Sequence, residues 1–299
     1  MNANEYKLSA GELEAAFLPG RGMLGVSLRY RGEELLRRLE NLEEAAAKGS
    51  TAGIPLLYPW ANRLAGAQYR AAGREVAFRA SSPLLHCDDH GLPIHGVKWG
   101  MLHWKVLEAQ ADRLVGRLDW SAPELLAVFP FRHAVEMKAT VRPNDLTIET
   151  TVRAEDAVPV SFGFHPYFGL AGVPRGEWRL ELPAMRCVVL DERGIPSGQE
   201  EPFEPFAGAL GESVFDTGFR LLEEQPKFVL SGGGRRITIE FLENFPYAQV
   251  FAPKGKEFVA LEPMTAPTNA LVSGQGLRVV QPGGELRTAF RVGVRLSGG

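Results

Sequence analysis

Two runs one turn apart set the fold class. Val135, Met137, Ala139 and Val141 alternate with Glu136, Lys138 and Thr140; after Pro143-Asn144-Asp145, Leu146, Ile148 and Val152 alternate with Thr147, Glu149, Thr151 and Arg153. A period of two sends every second side chain to one face of a sheet, so the runs read as a hairpin with one buried and one wet face. Pro, Asn and Asp supply the preset φ and the side-chain-to-backbone bonds that reverse a chain. The same period recurs in Ile237 to Phe241 and Phe290 to Leu296, and shorter strand-like pieces, Glu12 to Pro19 and Leu24 to Tyr30, flank the turn residues Pro19 to Gly22. No strand–helix–strand unit repeats, which argues against a parallel nucleotide-binding sheet. The expectation is an all-β, large antiparallel sandwich.

One stretch breaks the pattern. Leu35, Leu36, Leu39, Leu42, Ala45 and Ala46 recur at helical spacing and Gly49 stands where a helix stops, predicting a short helix within Glu34 to Lys48. Gly- and Pro-rich pieces are all of turn length, so residues 1–299 read as a single domain. Glu200 to Phe215, with Pro202, Pro205, Gly208 and Gly211, reads as a long connection.

Bulk properties narrow the function. A chain of 299 residues, 45% hydrophobic and 23% charged, has enough apolar side chain for a sizeable core. A net charge of -3 gives no electrostatic reason to expect nucleic acid, and the pairs Arg37-Arg38 and Arg235-Arg236 read as solvated surface. Cys87 and Cys187 lack CxxC-type spacing, so neither a disulfide framework nor a zinc site is implied. Met1 to Lys7 lacks the basic-then-apolar form of a signal peptide, and no run approaches the ~20 apolar residues of a membrane span. The expected location is cytoplasmic, with no membrane partner.

Chemistry concentrates at two places. Val158 to Phe168 is a β-rich apolar run interrupted by His165 before Pro166, and Glu257 to Thr265 repeats the form with Glu262 before Pro263. A residue before proline is driven toward extended conformations, so each titratable side chain is expected at a strand end, aimed sideways. A histidine and a carboxylate so placed make an acid/base pair. Four weaker signals accompany them. Arg63 follows the apolar, twice-prolined run Ile54 to Asn62 and reads either as a salt-bridged arginine or as a donor to a ligand. His95 before Gly96 is a structural histidine or a second donor. Asp216, in Val214 to Phe219, is an Asx-turn residue or a ligand acceptor. Gln249 sits in the otherwise apolar run from Asn244 to Phe251.

The succession Asn62-Arg63, His95-Gly96, His165-Pro166-Tyr167-Phe168, Asp216 and Glu262-Pro263 resembles the aldose 1-epimerases, or galactose mutarotases. The resemblance implies a galactose mutarotase-like β-supersandwich with one or a few short helices, interconverting the α and β anomers of a free aldose such as glucose or galactose without cofactor or metal. It implies Glu262 as the base at the C1 hydroxyl and His165 as the acid at the ring oxygen. Arg63 and His95 would donate to sugar oxygens and Asp216 would accept from hydroxyls, with Asn62 and Gln249 completing the sugar contacts. The expected partner is a small sugar, and the expected assembly a monomer or weak homodimer.

The chemistry requires such a pair independently of the family. Opening a hemiacetal removes a proton from O1 and delivers one to O5, and a Glu near ~4.3 and a His near ~6.5 coexist as base and acid at neutrality. Trp60, Tyr167 and Phe168 are either an apolar platform for a sugar face or plain core. Two features depart from the family pattern: Ala154 stands where many relatives carry asparagine, and His86 to His90 is rich in titratable residues, read as a specificity loop, a chance cluster or a metal site. A 1-epimerase of a hexose 6-phosphate, with Lys98, Arg70 and Arg74 as contributors to a phosphate site, and a non-catalytic carbohydrate-binding protein are the alternatives.

Overall fold

The expected hairpin forms as His133–Arg142 against Asp145–Ala154, in register from His133 opposite Ala154 to Arg142 opposite Asp145. The computed structural model describes residues 5–296; Met1 to Asn4, part of the stretch read for a signal peptide, and residues 297–299 lie outside them. Val135, Met137, Ala139, Val141, Leu146, Ile148 and Val152 are all at most 1% exposed. Burying a side chain of the larger of these types stabilises by roughly 1.5–3 kcal/mol, which pins the register because a one-residue slip would expose the set.

That hairpin belongs to a nine-stranded antiparallel sheet, in which Glu285–Leu296 lies between Asp145–Ala154 and Arg235–Glu243. An eight-stranded sheet packs against it. Its order is Pro196–Phe203, Met185–Leu190, Phe215–Leu221, Tyr247–Ala252, Val259–Met264, Gly163–Phe164 and Leu56–Leu57, with Tyr167–Phe168 pairing Val259–Met264 to one side. The inner faces meet through Phe164 and Phe245, whose rings lie 5.0 and 6.1 Å from Phe290. Val250 and Leu261 are fully buried on the inner face. Strand alternation therefore turns their neighbours Gln249 and Glu262 to the opposite face. A four-stranded sheet from Tyr6–Ala10 to Glu33–Glu34 is the third large piece.

Several expectations are corrected. The helix covers only Leu42–Lys48, capped by Asn41 accepting from the Glu44 amide and by Gly49 in the left-handed region. Leu35 and Leu36 are instead extended: Leu36 bridges to Phe168, and both are buried. A spacing that mimics a helix here serves an extended segment packed on two sides. Glu200 to Phe215 is no long loop, since strands Pro196–Phe203 and Phe206–Ala209 run through it. The turn expected at Pro19 to Gly22, by contrast, forms, as the single 3-10 turn Pro19–Arg21. Arg235 is buried, paired with Glu33 at 2.7 Å and donating to the Ala171 carbonyl at 2.6 Å, so it ties two sheets together rather than facing water. Arg236 pairs with Glu181 at 2.9 Å. No helix among the described residues is long and apolar enough to cross a membrane.

A buried polar pin holds the loop that leads into Asn62 and Arg63. Tyr58 Oη lies 2.5 Å from His133 Nε2, and His133 Nδ1 lies 2.6 Å from the Phe131 carbonyl. The carbonyl can only accept, so Nδ1 carries the proton and Nε2 accepts from Tyr58. Burial pushes His133 down to about 4. The unfolded chain takes its proton near ~6.5, so this neutral histidine contributes stability present above that pH and lost as pH falls toward 4, in total roughly 3 kcal/mol. In urea melts of the wild type and His133→Asn, the wild-type advantage should shrink between pH 7 and 4; a pH-independent advantage would refute the assignment.

Candidate active site

Register builds the site. Gly163 pairs with Met264 and Tyr167 with Ala260, which sets His165 opposite Glu262; Glu262 in turn pairs with Gln249, and Gln249 with Gly218. Residues directly opposite in a sheet share a face. One row thus reads His165, Glu262, Gln249, Gly218, and the next reads Tyr167, Ala260, Phe251, Asp216. Glu262 is not at a strand end, because Val259–Met264 continues through Pro263. His165 sits in the short gap between Gly163–Phe164 and Tyr167–Phe168.

His165 Nε2 is 3.3 Å from Glu262 Oε1. Neither Glu262 oxygen has a hydrogen-bond partner among the described residues, and Glu262 is fully buried with His165 6% exposed. Their approach is a close contact without hydrogen-bond alignment. Tyr167 Oη lies 3.1 Å from the same Nε2. The two rings are stacked, centroids 4.2 Å apart and only 7° from parallel. The hydroxyl therefore sits over the imidazole, away from the in-plane lone pair, and its good partner is Thr51 Oγ1 at 2.6 Å. Nε2 stays directed in its own plane at the space beside Glu262.

Electrostatics favour neutral groups. Burial drives the Glu262 carboxyl well above the usual range, with Asp216 adding repulsion. Burial likewise drives His165 well below the usual imidazole value, helped by His95 and Arg37. The expected pair of carboxylate and imidazolium is thus disfavoured relative to carboxylic acid and imidazole, two forms that carry the same number of protons.

His95 comes in from the strand Pro93–Val97, and Asn62 and Arg63 from the loop beside it. His95 has φ +62°, in the left-handed region, and its ring lies 5.7 Å edge-on from that of His165. Burial, then Arg63 and His86, hold His95 down to about 3, and its Nδ1 is buried without a partner among the described residues. A non-glycine residue held at positive φ is kept there by its surroundings: the His95 amide donates to the Asn62 carbonyl at 2.9 Å, and Gly96 lies so close that a Cβ would meet the Tyr58 carbonyl oxygen at 2.3 Å. Asn62 is buried, also at positive φ. Arg63 Nε donates to Asp88 Oδ2 at 2.6 Å. Asp88 Oδ1 accepts from the His90 and Leu92 amides at 3.0 and 2.9 Å. Within the polar stretch His86 to His90 it is therefore Asp88 that holds Arg63. Burial works to raise the Asp88 carboxyl, but the Leu92 amide, Arg63 and the His90 amide together hold it below its usual value. Among the described residues no three His, Cys, Asp or Glu side chains group closely enough to hold a metal ion.

Asp216 lies within Phe215–Leu221 rather than in a turn, exposed, and its Oδ1 accepts from Gln249 Nε2 at 2.8 Å. Of the aromatic platform residues only Tyr167 faces the site. Trp60 and Phe168 are fully buried, Trp60 against Phe78 at 5.5 Å. Sequence reading missed Thr51 and Phe251; Phe251 was reachable through the two-residue step from Gln249. Arg74 donates to the Pro130 carbonyl and pairs with Asp156, Arg70 stands on the hairpin opposite Glu75, and Lys98 lines a small cavity with His86 and His95.

Comparison with known proteins gives the fold and the family. YihR of Escherichia coli (strain K12) is 23% identical over 247 residues, 79% of this chain and 77% of that protein. A galactose mutarotase-like protein from Clostridium acetobutylicum superposes with a TM-score of 0.82 at 18% identity, covering 97% of this chain and 94% of its own. Galactose 1-epimerase from Lactobacillus acidophilus NCFM gives 0.75 at 14% identity, covering 96% and 92%. These two likenesses establish the mostly antiparallel mutarotase-like fold. The family model described as aldose 1-epimerase matches residues 6–292, and on that span the chain belongs to the aldose 1-epimerase family.

Proposed function

We propose that the protein interconverts the α and β anomers of an aldose with a free C1 hydroxyl, opening and reclosing the ring. The observation that carries this reading is the unpartnered, buried contact of His165 and Glu262. A buried polar group without a partner costs roughly 1–3 kcal/mol, and two facing each other are an expense that mere sugar binding does not require.

Groups 3.3 Å apart cannot flank a sugar ring from opposite sides. The chemistry does not demand that they do. O1 and O5 are bonded to the same carbon, so neighbouring acid and base groups can reach both from one side. Sugar binding favours the charged form of the pair, since O1–H donates to a carboxylate and O5 accepts from an imidazolium. Glu262 takes the O1 proton as the C1–O5 bond breaks and His165 protonates O5, leaving an aldehyde, a carboxylic acid and an imidazole. Rotation about C1–C2 presents the other carbonyl face. His165 then takes the O5 proton and Glu262 returns its own to the carbonyl oxygen, restoring the starting charges.

Polarimetry on freshly dissolved α-glucose and α-galactose tests the proposal. Catalysed decay to the equilibrium rotation is expected for at least one of them; decay at the uncatalysed rate for every aldose tried would refute it. Asp216→Ala should chiefly raise KM, several-fold, with a smaller loss of kcat, because Asp216 acts on hydroxyls and on Gln249 away from the bonds that change. A pure kcat loss would show that Asp216 acts at the reacting atoms.

A further inference from the structure

Arg175 gathers the ends of the strands that bear the site. It opens the 3-10 turn Arg175–Glu177, which the fully buried Trp178 anchors by donating its Nε1 to the Val173 carbonyl at 2.8 Å. Arg175 is itself buried, and its partners are backbone carbonyls no nearer than 36 residues in sequence. Nε donates to Gly211 at 2.9 Å, Nη1 to Lys256 at 2.8 Å and Phe258 at 3.5 Å, and Nη2 to Ser213 at 2.8 Å and Ala252 at 3.5 Å. A guanidinium carries five N–H groups in one planar fork, so these carbonyls take up its whole donor set.

Both segments it joins belong to the site. Gly211 and Ser213 lead into Phe215–Leu221, which carries Asp216; Ala252 to Phe258 joins Tyr247–Ala252, with Gln249 and Phe251, to Val259–Met264, with Glu262. The ladder between the first two strands stops at Phe215 opposite Ala252, so the segments beyond it need another tie. Lys254 and Glu212 also span them at 3.6 Å, but both are exposed and such a pair is worth little. The Phe258 ring stands edge-on to Tyr167 at 5.3 Å and lies 6.0 Å from that of Phe251. Resting on the anomer-exchange reading, we propose that Arg175 is a positioning residue for sugar binding, fixing the wall of Phe258, Phe251 and Asp216 against which the sugar lies. His165 and Glu262 are held by other means: Glu262 stands mid-strand opposite Gln249, and the His165 amide donates to the Pro55 carbonyl at 3.1 Å. Loosening the clamp therefore weakens the hold on the sugar and leaves the proton-transfer pair in place.

The test measures kcat and KM by polarimetry for wild type, Arg175→Lys, Arg175→Ala and Phe258→Leu, with whichever of glucose and galactose the wild type turns over, alongside urea midpoints. Arg175→Lys should raise KM roughly three- to ten-fold and leave kcat within about two-fold, because three donors on one nitrogen cannot replace the fork and the loss is of uniform binding. Phe258→Leu, which keeps the carbonyl and removes the ring, should raise KM in the same way and add little in the double variant with Arg175→Lys. In Arg175→Ala, guanidinium chloride at millimolar, non-denaturing concentration should return KM toward the wild-type value, whereas equal ammonium chloride should not. A lower urea midpoint with a smaller active fraction, hence lower kcat at unchanged KM, would make Arg175 a structural staple only and overturn the proposal. An unchanged KM in Phe258→Leu overturns it whether or not the Arg175 variants fold, and leaves anomer exchange standing. Failure of the wild type to accelerate either sugar overturns both.

Discussion

Replacing Glu262 with glutamine should lower kcat by about 10²–10⁴-fold, the usual worth of a positioned proton acceptor, and should stabilise the protein at neutral pH. The two effects share one cause. Glu262 is fully buried with both oxygens unpartnered and an acid, Asp216, nearby. A carboxyl raised in the folded state loses its proton more readily when unfolded. Its cost to stability therefore appears as pH rises above the unfolded value near ~4.3 and grows until the folded group itself ionises. Glutamine keeps the shape, cannot ionise, and has an amide that can donate toward His165 Nε2. Urea midpoints of both proteins from pH 4 to 8 should diverge as pH rises, with glutamine the more stable. A variant with near wild-type turnover would remove Glu262 from the chemistry. One destabilised equally at every pH would refute the electrostatic account.

His165→Gln should lower kcat by a similar 10²–10⁴-fold, and the double variant with Glu262→Gln should be hardly worse than either single one. The two groups, 3.3 Å apart, act on the same sugar in one step, so removing one leaves the other without its counterpart. Glutamine is the better probe than alanine, because the imidazole is stacked on Tyr167 and a truncation there opens a cavity. Strictly multiplicative losses in the double variant would mean independent roles. Retained activity in His165→Gln would leave O5 to be protonated by another group, the Tyr167 hydroxyl at 3.1 Å from Nε2 and the His95 ring at 5.7 Å being the neighbours.

The sheet class and the central hairpin were legible because their alternation is local: each face of Val135 to Val152 repeats every second residue. The helix was half legible. Asn41, Glu44 and Gly49 carry real cap chemistry, whereas Leu35 and Leu36 match a helical period by coincidence and are claimed by a distant strand. His165 and Glu262 stood out because each charge-bearing residue interrupts an apolar run, but only the register of Val259–Met264 shows that they face one another. Arg37 illustrates what a chain cannot disclose by pattern. It looks like any surface arginine until pairing with Tyr167 brings it to the site edge. Arg235 was misread for the same reason, its acid Glu33 being far off in sequence.

The position of Glu285–Leu296 has a consequence for how the molecule is made. It is inserted between Asp145–Ala154 and Arg235–Glu243, and every strand bearing a site side chain is synthesised before it. On the ribosome the large sheet stays open down its middle until this late segment emerges, so the nascent chain must wait with two unsatisfied edges. Assembly should accordingly be slow and reliant on holding factors, and a translation product stopped short of residue 285 should aggregate rather than persist as a partly active fragment.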